Sequence, residues 1–326
     1  MVPETEKKTL LVETLCEKEG EGWFMCSNEH YLAVGVDTSL LIYHIDTLEL
    51  LRTISTDHPS ETRIRRGEFR PGFPTVIGIG YFNGLCDIID VDKEKLIQRL
   101  EGAESEIKSV SFSPSGERLS FSTRDGSVWI WKETEGEWEI EEIIEYSEND
   151  VKTAIWSEDT LVTMGYSNET VIYQRWEDEM CEVKWEIDAI LKTTCTHWDG
   201  AFIHDGPSTY LGTVTQDGSL AIYHKESTWK EQLTQSISFY PVIAICQVSL
   251  PHSQDVFGMI TNRNTLSLYS TSGSLFFKQI VASPEEEPID LLFSKKASSL
   301  FILFFSYVQR KRSVRVKVVR GLGQWV

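Results

Sequence analysis

The sequence predicts an all-β protein, a seven-bladed β-propeller whose final blade is closed by a strand from the N-terminus. Three observations support this prediction. A two-strand pattern recurs along the chain, its copies end at nearly constant intervals, and no segment keeps the 3.6-residue apolar period of an α-helix. We expect residues 1–326 to form a single domain, with blades from about residue 23 to residue 320.

The recurring unit is a short apolar strand, a turn built on Asp, Asn or Gly, and a second strand ending in an aromatic or aliphatic side chain. Asp-Gly and Asn-Gly turns tolerate the positive φ that tight hairpins require. The sharpest copy runs from Leu119 to Trp131 around the turn Asp125-Gly126. In chain order the units span 32–43, 76–89, 119–131, 161–173, 210–223, 256–269 and 300–318, the last with Arg310-Lys311-Arg312 as its turn.

The spacing of these units predicts propeller blades. The first six units end at intervals of 42 to 50 residues, close to the roughly 40–45 residues of a WD40 blade. A further strand precedes several hairpins, which gives about four strands per unit. The seventh hairpin leaves too few residues for an outermost strand, whereas residues 9–15 have strand composition and no blade of their own. We therefore expect residues 9–15 to close the final blade; a loose N-terminal arm is the alternative.

The composition is that of a globular protein with an acidic surface. Hydrophobic residues make up 41% of the chain, and 50 acidic against 31 basic residues leave a formal charge of −19. That charge disfavours nucleic acids and anionic membranes as partners. No apolar run approaches the roughly 20 residues of a membrane span, and the acidic start lacks an apolar signal core. We expect an intracellular protein.

The spacing of cysteine and histidine predicts no metal or cofactor site. The six cysteines form no Cys-x-x-Cys pair and are expected to be buried thiols in a reducing compartment. The seven histidines show no ligand spacing, and we expect them at surface or turn positions. No nucleophile elbow or phosphate loop occurs, so we expect no enzymatic activity, although a Ser/His/Asp set assembled in space stays open. Two acidic stretches, 133–142 and 177–179, are interpreted as solvated loops; an acidic rim facing a basic partner is the alternative.

Propeller geometry brings one set of side chains to a common face. The turn between the second and third strands and the start of the innermost strand lie on the same face around the central channel. In three consecutive blades the turn positions hold Phe82, Arg124 and Tyr166, and the inner-strand starts hold Arg66, Lys108 and Lys152. Repulsion among four cations is unfavourable unless an anion binds, and the rings offer apolar contact. We predict a site for a short peptide with carboxylates and an aromatic or apolar side chain; ordinary surface side chains are the alternative.

The run from Leu100 to Trp131 resembles the third blade of one WD40 family, the WD40 subunit of the cytosolic iron–sulfur protein assembly targeting complex. The next blade resembles it through the segments 149–152 and 170–175 and through Trp156 and Tyr166. The order Phe82, Arg124, Tyr166 before successive turns matches the family's Phe, Arg and Tyr. The resemblance is specific over about residues 60–190 and generic elsewhere.

The resemblance implies a non-catalytic scaffold without a cofactor, a monomer within a hetero-complex. Its implied partners are a small adaptor subunit, a large helical-repeat scaffold subunit and iron–sulfur apoproteins, in the cytoplasm and as a second location the nucleus. Client tails ending in an aromatic residue would place carboxylates on Arg124 and the ring beside Phe82 and Tyr166. The remaining three cations, Arg66, Lys108 and Lys152, would supply a positive field. A generic WD40 adaptor of the ubiquitin-ligase or chromatin type is the first alternative, and a propeller hydrolase is the second.

The sequence also departs from the family pattern. The resemblance implies a buried His–Ser/Thr–Asp–Trp network in each blade. The third blade keeps Thr123, Asp125 and Trp131 but has Ala103 in the place of the histidine. In the fourth blade, Ser147 replaces the histidine and Asn168 the aspartate. We interpret the chain as a divergent, shortened member whose blades depend more on apolar packing.

Overall fold

The computed structural model describes residues 10–59, 62–177, 183–250, 254–308 and 311–322. These residues form 28 strands and no α-helix, and the strands make seven four-stranded antiparallel sheets. Each sheet is one blade, with its strands in the order inner, second, third and outer. The predicted all-β, seven-bladed propeller is confirmed. That residues 1–326 constitute a single domain stays a prediction.

The strands follow one another blade by blade along the chain. Blade 1 comprises β2 (Phe24–Ser27), β3 (Tyr31–Val36), β4 (Ser39–His44) and β5 (Leu50–Ser55). Blade 2 comprises β6 (Ile64–Phe69), β7 (Val76–Tyr81), β8 (Cys86–Asp90) and β9 (Lys95–Leu100). Blade 3 comprises β10 (Ile107–Phe112), β11 (Arg118–Thr123), β12 (Val128–Thr134) and β13 (Glu137–Ile144). Blade 4 comprises β14 (Val151–Ser157), β15 (Thr160–Gly165), β16 (Glu169–Glu177) and β17 (Val183–Lys192).

The remaining blades complete the ring. Blade 5 comprises β18 (His197–Asp205), β19 (Ser208–Thr215), β20 (Ser219–Lys225) and β21 (Trp229–Ser236). Blade 6 comprises β22 (Val242–Val248), β23 (Val256–Thr261), β24 (Thr265–Tyr269) and β25 (Leu275–Ile280). Blade 7 comprises β26 (Glu287–Ser294), β27 (Ser299–Val308), β28 (Lys311–Arg320) and, as its outer strand, β1 (Leu11–Glu19).

The N-terminal strand closes the final blade, as the sequence predicts. Strand β1 pairs antiparallel with β28, from Leu11 opposite Arg320 to Glu19 opposite Ser313. The strand occupies 11–19 instead of 9–15, and residue 9 lies outside the described residues. Acidic side chains of β1 face basic side chains of β28: the Arg315 guanidinium lies 3.0 Å from the Glu17 carboxylate. Strand pairing and charge complementarity therefore act together at the closure.

The core lies between neighbouring blades, where the faces of adjacent sheets pack together. One cluster of buried apolar side chains joins Cys86 and Ile88 of blade 2 to Phe112, Leu119 and other residues of blade 3. Glycine in strand β7 permits this close approach, since a Cβ at Gly80 would come within 2.5 Å of the Ile107 side chain. Gly80 therefore serves as a packing residue.

Polar side chains on the inner strands connect one blade to the next. The Glu68 carboxylate of β6 accepts the Phe112 N–H of β10 at 2.6 Å. The Asp199 carboxylate of β18 accepts the Ile245 N–H of β22 at 3.2 Å, and that of Asp290 in β26 accepts the Met25 N–H of β2 at 3.1 Å. Burial raises the pKa of Glu68 to about 7 and that of Asp199 to about 7.

The turn network of blade 3 differs from the one that the resemblance implies. Thr123 donates to Asp125, and the Asp125 carboxylate accepts the Ser127 N–H at 3.1 Å. The Trp129 indole N–H then donates to the Ser127 hydroxyl at 3.0 Å. The Trp131 indole N–H has no hydrogen-bond partner in the described part of the chain. The expected role of Trp131 is therefore wrong, because Trp129 is the ring adjacent to the turn.

Two histidines are buried: His197 lies in strand β18 and contradicts the expectation of surface or turn positions, whereas His58 lies in the connection between β5 and β6. His58 Nε2 lies 2.9 Å from Asp87 Oδ2, and both side chains are only 3% exposed. The Asp87 carboxylate also accepts the Arg99 Nε–H at 2.8 Å. His197 is buried with Nδ1 at 3.1 Å from the Thr170 hydroxyl, and burial lowers its pKa to about 4. The spacing of residues in the sequence could not predict these contacts, because the partner of each histidine lies 27 or more residues away in the chain.

The first acidic stretch is largely a strand instead of a loop. Its residues form the end of β12, a two-residue turn and most of β13. Glu141 of β13 is 6% exposed at its side chain and pairs with Arg118 at 2.8 Å. In the second stretch, Glu177 ends β16, and residues 178 and 179 lie outside the described residues. The interpretation of residues 137–142 as a solvated loop is therefore wrong, because they form part of a strand in which the side chains of Trp138 and Glu141 are largely buried.

Candidate functional site

The predicted turn residues Phe82, Arg124 and Tyr166 lie on one face of the ring, which we call the front face. The Phe82 N–H donates to the Arg63 carbonyl, and the Arg124 and Tyr166 N–H groups donate to the Glu106 and Asp150 carbonyls. Each bond joins the turn between the second and third strands to the residues just before the inner strand of the same blade. The back face carries the turns between the inner and second strands.

Arg124 is the most exposed of the predicted cations. Its side chain is 67% exposed, and its guanidinium Nη1 lies 3.8 Å from Glu106 Oε2. That separation exceeds the 2.7–2.9 Å of a good charge-assisted hydrogen bond. Arg124 can therefore take a ligand carboxylate at the cost of only a weak internal contact.

Glu106 is the carboxylate that joins the cations of blades 2 and 3. Its Oε1 accepts the Arg65 Nε–H at 2.9 Å, and its Oε2 accepts the Lys108 ammonium at 2.6 Å. Burial raises the pKa of Glu106, but the hydrogen bonds and charges of Lys108 and Arg65 outweigh burial and hold it below its usual range. The carboxylate is therefore ionised at neutral pH and fixes both cations.

Lys108 and Lys152 share a second carboxylate, that of Asp150. Lys108 Nζ lies 3.5 Å from Asp150 Oδ2, and Lys152 Nζ lies 3.8 Å from the same oxygen. Lys152 Nζ also lies 4.5 Å from the Tyr166 ring centroid and 5.4 Å from that of Trp198. Burial, together with the charges of Arg65 and Arg124, lowers the pKa of Lys152.

A second pair of rings borders the site on the side of blades 1 and 2. The Arg65 guanidinium carbon lies 4.9 Å from the Trp23 ring centroid and 5.7 Å from that of Phe82. The two rings meet edge to face with centroids 5.8 Å apart. Burial and the neighbouring charge of Arg66 lower the Arg65 pKa to about 10. The guanidinium is still charged at neutral pH, and its faces rest on aromatic carbon.

Arg66 belongs to a different set of contacts. Its Nη1–H donates to the Trp23 carbonyl at 2.9 Å, and Nη1 lies 3.2 Å from Asp290 Oδ2. It therefore points towards blades 1 and 7, away from Glu106. Arg65, its neighbour in sequence, occupies the place that the prediction gave to Arg66. The bulge between Ile64 and Arg66 recurs at 107–109 in blade 3 and at 151–153 in blade 4. Arg65 therefore stands in the register of Lys108 and Lys152, and the predicted Arg66 is one residue out of that register.

The structure joins five of the six predicted residues into one chain of contacts, which we call the cation–aromatic tract. Its members are Trp23, Phe82, Arg65, Glu106, Lys108, Arg124, Asp150, Lys152, Tyr166 and Trp198. Two parts of the prediction are corrected. The cations are not left to repel one another, because Glu106 and Asp150 pair with them, and Lys108 is 6% exposed and not a surface residue.

Sequence reasoning missed five members of the tract, of which the first, Arg65, lies one residue from the predicted Arg66. Glu106 and Asp150 precede their inner strands at the same register position in consecutive blades, so the repeat itself holds the signal for them. Trp23 and Trp198 come from the blades on either side, and only packing between blades brings them to Phe82 and Tyr166. In the described ranges no group of three or more His, Cys, Asp or Glu side chains is placed to hold a metal ion.

Fold and site together define the class of this protein: a seven-bladed WD40-type β-propeller whose front face carries the cation–aromatic tract. The described part of the chain has no helix with the length and apolarity to cross a membrane. No family model matches the chain.

Comparison of the sequence with named proteins points to relatives more specific than the WD40 class. The chain is 27% identical over 202 residues to a Chaetomium globosum protein named probable cytosolic iron-sulfur protein assembly protein 1, covering 54% of this chain and 43% of that protein. It is 37% identical over 102 residues to a Schizosaccharomyces pombe protein named probable cytosolic Fe-S cluster assembly factor, covering 30% and 16%. A Botryotinia fuckeliana protein with the first name is 36% identical over 84 residues, covering 23% and 19%. The matches thus span less than half the length of these relatives.

A solved structure agrees with the fold. A chain in the crystal structure of a mitotic checkpoint complex superposes with a TM-score of 0.76, over 98% of this chain and 95% of that one, at 14% identity. This likeness shows the fold alone. The resemblance stated from the sequence is confirmed to this extent: homologues at moderate identity carry the name of the cytosolic iron–sulfur protein assembly protein, and the fold is a WD40-type propeller.

Proposed function

We propose that this protein is a non-catalytic scaffold of cytosolic iron–sulfur protein assembly, which recruits apoproteins by binding short peptide tails on its front face. The observation that carries the proposal is the cation–aromatic tract, in which four cations face two carboxylates. An excess of positive charge at one place on a chain of formal charge −19 favours the binding of an anionic ligand. The names of the relatives support the assembly pathway and the cytoplasm as the place of action.

The tract suits a peptide whose terminal carboxylate lies next to an aromatic side chain. Arg124 offers the carboxylate an exposed planar fork that can bind both oxygens. Tyr166 is 41% exposed beside Lys152 and gives the ring of the peptide a partly open apolar face. Phe82 is half-buried against Trp23 and Arg65 on the other flank. We therefore assign carboxylate binding to Arg124 and ring contact to Tyr166 and Phe82.

The proposal extends to the partners of such a scaffold. We propose that the protein acts as a monomer within a hetero-complex, together with a small adaptor subunit and, where it exists, a large helical-repeat scaffold subunit. Its clients would be iron–sulfur apoproteins of the cytoplasm and also of the nucleus.

The test is calorimetric binding of a synthetic peptide that ends in aspartate followed by tryptophan with a free carboxyl terminus. We expect Arg124→Glu to weaken binding at least tenfold, because it removes one charge pair and adds repulsion. Amidation of the peptide terminus should weaken binding to the wild type similarly. The melting temperature should fall by no more than a few degrees, since the Arg124 side chain is 67% exposed.

Arg263→Glu is the matched control. Arg263 is an exposed arginine in the corresponding turn of blade 6, stacked on Tyr240 at 5.0 Å and outside the tract. It should change the affinity by less than twofold. Unchanged affinity of the Arg124→Glu variant would remove Arg124 from the site, and no binding to the wild type would count against tail recognition itself.

A further inference from the structure

The back face carries a cleft of about 640 Å³ at the other end of the ring from the cation–aromatic tract. Three turns between inner and second strands form it: Ser27–His30 of blade 1, Arg70–Pro74 of blade 2 and Ser294–Lys296 of blade 7. No residue of the tract contributes to its lining. The volume lies within the range of roughly 300–1,000 Å³ typical of ligand sites.

Hydrogen bonds between blades hold the walls of this cleft in place. The Asn28 side-chain N–H donates to the Pro74 carbonyl at 2.7 Å and so ties the turn of blade 1 to that of blade 2. The Arg70 Nε–H donates to the Gly116 carbonyl of blade 3 at 2.8 Å, and its guanidinium stacks 3.8 Å from the Phe73 ring centroid. A cleft formed before its ligand arrives saves the ordering cost of binding.

The cleft is lined by cationic, carboxylate and apolar side chains. Lys295 and Lys296 are exposed on one wall, and neither has an ion pair within the described residues. Glu29 is exposed on the other side, and Glu68 lies at the base with one carboxylate oxygen engaged by the Phe112 N–H. Phe293 is half-buried and adds apolar surface. Two adjacent cations that are unpaired among the described residues are unusual on a chain of formal charge −19.

We infer that the back-face cleft is a second binding site, which takes a short extended peptide with acidic and apolar side chains. The acidic side chains pair with Lys295 and Lys296, and apolar side chains cover Phe293. The backbone N–H groups of a peptide can donate to the carboxylates of Glu29 and Glu68. A phosphate group has no such N–H donors for these two side chains. Because this cleft and the tract lie on opposite faces, one molecule can hold a ligand at each.

The experiment uses the full chain and a fluorescein-labelled pentapeptide of alternating glutamate and leucine, with an amidated C-terminus that denies Arg124 a terminal carboxylate. Fluorescence anisotropy should show saturable binding, and hydrogen exchange should slow at residues 28–30 and 293–296. The double variant Lys295→Glu/Lys296→Glu should raise the Kd at least tenfold. The matched double variant Lys95→Glu/Lys184→Glu makes the same charge change on exposed outer-strand positions and should raise it less than twofold.

Several outcomes would overturn the inference. No saturable binding, or equal loss in the two double variants, would mean that the cleft does not select the peptide. Tighter binding of inorganic pyrophosphate, measured by displacement of the peptide, would assign the cleft to a small anion instead. Loss of binding in Arg124→Glu would place the peptide on the front face. Loss confined to the Lys295 and Lys296 variant supports the inference, and this result does not depend on the proposed tail recognition.

Discussion

Glu106 is the residue on which the electrostatics of the front face depend. Its carboxylate, 11% exposed, holds Arg65 at 2.9 Å and Lys108 at 2.6 Å and leaves Arg124 at 3.8 Å. The two close partners are themselves 13% and 7% exposed at their side chains, so they cannot exchange Glu106 for water. The residue thus fixes the inner cations and leaves the outer one available to a ligand.

Neutralising this carboxylate should destabilise the fold. We expect Glu106→Gln to lower the free energy of unfolding by about 3 kcal/mol, because it leaves largely buried cations without their partner. Chemical denaturation would measure the change. Glu117→Gln is the control: Glu117 is 63% exposed and 3.8 Å from Arg118, a pair worth at most about 1 kcal/mol. Equal effects of the two substitutions would contradict the central role of Glu106.

At the scale of elements, the closing strand contributes both backbone pairing and charge. Three glutamates at the start of the chain face arginines of β28: Glu13 faces Arg320 at 3.7 Å, Glu17 faces Arg315 at 3.0 Å, and the third, Glu21, lies 2.8 Å from Arg312. Partly buried Leu15 and Cys16 pack on the core between blades 7 and 1. Without β1, strand β28 would present an open and strongly basic edge.

Removing this strand should destabilise the protein and expose the edge. We expect deletion of residues 1–19 to lower the melting temperature by about 10 °C or more, since a full set of ladder bonds and a packed side-chain row are lost. A synthetic peptide of residues 10–20 should restore the melting temperature with increasing concentration, because it binds only the folded ring. A scrambled peptide of the same composition should not. An unaltered thermal transition after the deletion would show that β1 is dispensable.

At the scale of the whole molecule, the ring is held by contacts that join each blade to the next, and some of them are titratable. Glu68 and Asp199 accept backbone N–H groups of the following blade. Burial raises both pKa values to about 7. A carboxyl whose folded pKa is raised stabilises the fold below its unfolded pKa, and that contribution is lost as the pH rises through about 7. The pKa of His197 is lowered to about 4, and its effect has the opposite sign. It stabilises the fold above the usual pKa of histidine, and that contribution is lost as the pH falls towards about 4.

The contribution of one such group can be isolated by an isosteric change. Glu68→Gln keeps an oxygen that can accept the Phe112 N–H but never ionises. We expect the variant to exceed the wild type in free energy of unfolding by about 2 kcal/mol at pH 8, and the difference to vanish near pH 4.5. Urea denaturation at several pH values would measure it. Glu29→Gln at an exposed position should show no such trend, and a difference that grows towards low pH would refute the assignment.

The sequence by itself determined the blades, their number, the closing strand and the register of the tract. These features follow from local chemistry repeated at a fixed interval: the Asp-Gly turn of blade 3, with Gly126 at φ +93°, predicts its own hairpin. The same interval placed Arg124 and Tyr166 on one face. Even Glu106 and Asp150 were within reach of this reasoning, because they recur at one register position.

The tertiary structure alone decided which side chains from distant parts of the sequence contact one another. Trp23 reaches Phe82, Asp290 reaches Arg66, and His58 reaches Asp87 across 59, 224 and 29 residues of chain. The back-face cleft, built from blades 1, 2 and 7, has the same origin. The periodic sequence pattern determines the strands of each blade. The contacts between blades depend on how the closed ring packs, and closure of the ring pairs β1 with β28, which are far apart in the sequence.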